Sequence, residues 1–256
     1  MKEHSVLNYI SKVLKNMPSD WLNLTTHRLD IYDEKLAKVQ FLTQFEHLFR
    51  GLNSETSALN ELPTAFDYIR LGHPLSCVLE WVIARVNGLD PNNVISFSSK
   101  TIPVLAILRA NLLEGRNTLI TYSGPWPEAL DLHILKDIYG YSFDLKQVNH
   151  VGDIPEFNGS TIFITQQEDL CTLELSPNID FFITTHPITG SVLSVHGAQN
   201  ERYIADIQHV RRRETIAMTP ANCLATLRLI TTTSSMELDS IAFKAHKAQV
   251  LDCIKD

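Results

Sequence analysis

The chain has 256 residues, 44% of them hydrophobic, with 22 basic against 29 acidic side chains and a formal net charge of -7. That composition supplies a sizeable core and excludes a disordered or collagen-like chain. The acidic balance gives no electrostatic basis for binding nucleic acid or an anionic membrane, so small molecules or other proteins are the expected partners.

Leu7, Ile10, Val13, Leu14 and Met17 recur at helical spacing and predict an amphipathic helix ended by Pro18. Leu36, Val39, Leu42, Phe45, Leu48 and Phe49 repeat the pattern more loosely, and residues 1–63 read as an N-terminal helical arm. From Pro74, the positions Val78, Trp81, Val82 and Val86 predict a helix closed by Asn87-Gly88, and Val94 to Phe97 a short buried strand. Ile102 to Leu113 reads as a helix, Thr118 to Tyr122 as a strand, Glu128 to Tyr139 as a helix, and Ser142 to Val148 and Thr161 to Thr165 as strands. Phe181 to Thr185 and Ser191 to Val195 are two more strands joined by a short link. Helices are predicted over Ile204 to Glu214, Pro220 to Thr231 and Leu238 to Ile254. Strands alternating with helices imply an α/β fold with a mainly parallel sheet covered by helices, here one large domain over 64–256.

Cys77, Cys171, Cys223 and Cys253 form no CxxC pair, which argues against a zinc ribbon or a disulfide framework and for buried thiols in a reducing compartment. No apolar run reaches the length of a signal core or a membrane span, so the expected setting is cytoplasmic and off the membrane. The ten histidines lack HExxH or paired metal spacing. Arg211-Arg212-Arg213 beside Glu214 reads as a solvated helix face, and Trp81 as a packing group.

Tyr68-Ile69-Arg70-Leu71-Gly72-His73-Pro74 followed by Leu79-Glu80 resembles the Tyr-x-Arg-x-Gly-Asn-Pro-Thr and Leu-Glu signature of the cystathionine γ-synthase, cystathionine lyase and methionine γ-lyase family of pyridoxal-phosphate (PLP) enzymes. Phe97-Ser98-Ser99 stands where that family has Phe-Ser-Ser-Gly-Met, and Asn178-Ile179-Asp180-Phe181-Phe182 is similar to the Gly-Ala-Asp strand before the PLP lysine. The likeness covers roughly residues 64–256 and implies the large domain of PLP-transferase fold type I without the C-terminal small domain. It also implies that Tyr68 and Arg70 reach the PLP phosphate of a neighbouring subunit. A phenol and a guanidinium fork are chemically suited to a phosphate dianion. Ser98, Ser99 and Lys100 occupy the family's phosphate loop, with lysine in place of glycine, and Trp126 falls near the tyrosine that stacks on the PLP ring.

The resemblance breaks where the chemistry is most demanding. PLP catalysis needs a lysine amine and a carboxylate that keeps the pyridine nitrogen protonated. Thr184-Thr185-His186-Pro187-Ile188-Thr189-Gly190 contains no lysine, and the stretch from Glu168-Asp169 to Asp180 is too short for a crossover helix and a further strand. The reading that follows is a catalytically inactive homologue that assembles with itself or with an intact homologue and completes a partner's phosphate site. Any PLP would be held without a covalent bond. Two other readings are a PLP enzyme of sulfur amino-acid metabolism using Lys100, and a metabolite- or anion-binding module around Ser98, Ser99 and Trp126.

Overall fold

The computed structural model describes residues 3–23, 34–63, 65, 70–167, 169–186, 188–196, 200–214 and 217–232. Its helices are α1 (Glu3–Asn16), α2 (Glu34–Arg50), the short α3 (Thr56–Asn60), α4 (Pro74–Val86), α5 (Ile102–Leu113), α6 (Asn200–Glu214) and α7 (Pro220–Thr232). The strands are β1 (Val94–Phe97), β2 (Thr118–Tyr122), β3 (Asp144–Gln147), β4 (Ser160–Gln166), β5 (Phe181–His186) and β6 (Gly190–Val195). They form one six-stranded sheet in the order β1-β6-β5-β4-β2-β3. β2 pairs parallel with β3 and β4, and β4 with β5, whereas β6 runs antiparallel between β5 and β1. This is the mainly parallel, helix-covered α/β sheet that the alternating pattern predicts.

Helices cover both faces. On one, α5 and α6 pack Ile107, Leu108, Tyr203 and Ile207 against Ile120, Ile162, Phe181 and Leu193 of the sheet. On the other, Val6, Ile10 and Val13 of α1 and Phe41, Phe45 and Phe49 of α2 share a core with Trp81 of α4 and Leu227 of α7. The described part of 1–63 is thus helical and buried against α4 and α7. Trp81 is the packing group its setting predicts: Phe45 and Phe49 meet it edge-on at 5.2 and 5.0 Å, and its indole N–H donates to Glu46.

Two predicted elements differ. The helix expected over Glu128 to Tyr139 is a single π-type turn, Ile134–Ile138. Asp131 starts it by accepting from the backbone N–H groups of His133 and Ile134, and Gly140, in the left-handed region at φ 71°, follows its end. The strand expected over Ser142 to Val148 shortens to β3. The helix predicted over Leu238 to Ile254 lies outside the described residues.

Candidate functional site

β1 and β5 are both antiparallel to β6, so β1 to β5 all end on one edge of the sheet. In open α/β sheets that edge is where ligands bind. It carries Ser98, Ser99 and Lys100 after β1, Ser123 after β2, Thr165 on β4, and the β5–β6 hairpin with His186, Gly190 and Ser191.

These side chains largely bind one another. The Ser99 hydroxyl accepts from the backbone N–H groups of Thr101 and Ile102 at 3.2 Å each, so it caps the start of α5, and its own carbonyl accepts from Ser191 Oγ at 2.6 Å. Ser123 Oγ donates to Thr165 Oγ1 at 2.9 Å. In the hairpin, His186 Nδ1 accepts from the N–H groups of Ile188 and Thr189, closing the turn. Gly190 holds φ 123°, and a Cβ there would lie 2.1 Å from the Phe97 carbonyl oxygen. Only glycine lets the hairpin lie this close to the end of β1. The pocket beneath it, between Thr184, His186, Ser191, Met218 and Leu229, has a volume of about 10 Å³, room for one water at most.

The sequence-predicted residues fall in separate places. Ser98, Ser99 and Lys100 lie together, half-buried, at the start of α5. Trp126 follows β2, which β6, β5 and β4 separate from β1. Its indole N–H donates to the Leu130 carbonyl at 2.5 Å and its ring meets Tyr122 edge-on at 5.2 Å, so its donor and one ring contact serve local packing. Arg70 is exposed at the entry to α4, with its backbone carbonyl fixed by the Ala217 N–H at 2.9 Å. Tyr68 lies outside the described residues.

His73, next along this segment, is buried and makes the turn into α4. Its Nδ1 accepts from Ser76 N at 3.2 Å while its Nε2 lies 2.7 Å from the Met218 carbonyl, which requires the neutral tautomer protonated on Nε2. Burial, opposed by the Met218 bond, lowers its pKa to about 4.

The polar group that sequence reasoning missed is a buried triad of Lys38, Glu80 and Arg211. Lys38 Nζ sits 2.6 Å from Glu80 Oε2 and Arg211 Nη1 3.3 Å from Glu80 Oε1. Arg211 is fully buried, a correction to the solvated face expected for Arg211-Arg212-Arg213. The triad closes the free side of the edge strand β1. Lys38 donates to Val94 O, Glu80 accepts from Ser96 N, and Arg211 donates to Ser96 O, so side chains replace the missing neighbouring strand. Burial alone would raise the Glu80 pKa, but Lys38 and Arg211 outweigh it and hold the carboxyl below its ordinary value. Lys38 lies three and seven residues before Phe41 and Phe45, and Arg211 four after Ile207, so each charge stands in an apolar helical stripe. That was the available signal. Burial pushes the nearby Cys77 and Cys223 thiols well up, leaving them unreactive.

The described hairpin holds no lysine. Of the described carboxylates between β4 and β5, Asp169 binds Cys171 N and Thr172 Oγ1 in an exposed turn, Glu174 is exposed, and Asp180 binds Thr161 N at the opposite edge of the sheet. Among the described residues, no group of three or more His, Cys, Asp or Glu side chains is placed to hold a metal ion, and no helix is long and apolar enough to cross a membrane.

Sheet order and crossovers define an α/β protein whose carboxyl sheet edge is hydroxyl-lined and internally bonded. No family model matches the chain, and no curated protein matches it. Among solved structures it is similar to metB from Corynebacterium glutamicum, at 12% identity and TM-score 0.46, covering 68% of this chain and 55% of that one. It is also similar to cystathionine gamma synthase from Xanthomonas oryzae pv. oryzae, in complexes with aminoacrylate and cysteine and with cystathionine, each at 12% identity, TM-score 0.44 and the same coverage. The chain therefore spans about half the length of these proteins.

Proposed function

We propose that this chain is a non-catalytic relative of the transsulfuration-type PLP enzymes that works as a subunit beside itself or an intact homologue, offering Arg70, with Tyr68, to the other subunit's PLP phosphate. The observation that carries the reading is the closed β5–β6 hairpin. His186 Nδ1 closes its turn and Gly190 lies against the end of β1, and none of its described residues is the lysine that a chemically active relative would need. Arg70, by contrast, is exposed, and its backbone carbonyl accepts from the Ala217 N–H at 2.9 Å.

The anion-module reading is less well supported, because the Ser99 hydroxyl and two N–H groups at the start of α5 already satisfy each other. Coexpression with an intact transsulfuration PLP enzyme of the same organism tests the proposal. The two chains are expected to copurify, and Arg70→Ala is expected to lower the partner's activity and loosen its hold on PLP. A chain that never associates with such an enzyme, and an Arg70→Ala variant without effect, would refute it.

A further inference from the structure

The two edges of the sheet are treated differently. β1 is closed by the Lys38–Glu80–Arg211 triad, whereas β3, among the described residues, pairs with β2 alone and is exposed or half-exposed. Val148 donates its N–H to Tyr122 O on β2. Because backbone groups alternate along a strand, Lys146 and Asp144 also direct theirs at β2, and Phe143, Leu145 and Gln147 direct theirs away from the sheet.

We infer that β3 is a self-recognition edge, at which a second copy of this chain adds its own β3 antiparallel about a two-fold axis through Leu145. In that register Leu145 faces Leu145 as a hydrogen-bonded pair exchanging both N–H···O bonds, and Phe143 faces Gln147 in the same way. Asp144 of each copy then stands opposite Lys146 of the other at the closer, non-hydrogen-bonded positions. Charges on an edge strand usually block pairing. Here they block a parallel or shifted neighbour and favour this one register, because Asp-Leu-Lys is self-complementary when read antiparallel.

A four-residue strand buries too little to hold a dimer alone. The π-type turn supplies apolar surface beside it, with Ile138 66% and Tyr139 54% exposed. This turn is folded onto the segment leading into β3, since Tyr141 N donates to Leu135 O and Lys136 lies over the Phe143 ring at 4.8 Å. A two-fold operation at Leu145 therefore carries the turns of both copies to the same interface, which is isologous and closes at two subunits. None of these residues belongs to the Arg70 site, so the inference holds or fails independently of the phosphate reading.

Sedimentation of the full chain over a concentration series tests it. A monomer–dimer equilibrium is expected. Asp144→Lys, which sets like charges opposite each other twice, is expected to raise the dissociation constant about tenfold or more. The exchange Asp144→Lys with Lys146→Asp restores opposite charges and is expected to restore the dimer. Arg70→Ala should leave it unchanged, and an unaltered circular dichroism spectrum checks that each variant folds. A strictly monomeric chain, a dimer indifferent to Asp144→Lys, or a double exchange that fails to rescue would each overturn the inference.

Discussion

His73 and Glu80 set the acid limit of this protein. The His73 pKa is lowered to about 4 in the fold. As pH falls, the unfolded chain therefore takes up a proton near the ordinary histidine value before the folded one does, and stability is complete above about pH 6.5 and lost down to about 4. The loss over that window is on the order of 3 kcal/mol. Glu80 adds to it at lower pH, because a carboxyl with a depressed pKa contributes stability that disappears once it is protonated. Urea denaturation at pH 7 and pH 5 checks this: the wild type should lose stability on acidification, and His73→Asn, which keeps a capping side chain but does not titrate, should lose less. Glu80→Ala strands the Lys38 and Arg211 charges in the core and removes the acceptor for Ser96 N, so it should cost about 3–5 kcal/mol by the same measurement.

At the scale of elements, the β5–β6 hairpin is the most constrained piece. Gly190→Ala would add a Cβ at a left-handed φ against the Phe97 carbonyl, and should cost more than about 2 kcal/mol in denaturant unfolding. The strands of this sheet were legible in sequence because they are short apolar runs between turns, and α4 and α5 because proline and Asn-Gly or Glu-Gly punctuate them. The stretch 128–139 was not. Its buried residues, Leu130 and Leu135, do not repeat at the three- or four-residue spacing of an α-helical face, and only Leu135 lies in the π-type turn. The triad escaped for a different reason: an apolar stripe marks Lys38 and Arg211 as inward-facing, but Glu80 and Arg211 are 131 residues apart, and no local pattern pairs a charge with a partner from a distant helix.

For the molecule as a whole, the alternating pattern predicted the mainly parallel sheet but not how the side chains on its carboxyl edge bond to one another. Ser98, Ser99 and Lys100 stand together at the start of α5, where the hydroxyl of Ser99 is spent on capping the helix, while Trp126 packs against Tyr122. Such uses depend on geometry that a motif does not encode. The proposed function requires that no amine on this edge, Lys100 included, tethers an aldehyde cofactor. An absorbance spectrum of the purified chain after incubation with PLP, followed by borohydride reduction and peptide mass analysis, tests it most directly. The expected result is no aldimine band and no pyridoxyl adduct on this chain; a band lost on Lys100→Ala, with a pyridoxyl group trapped on Lys100, would contradict it.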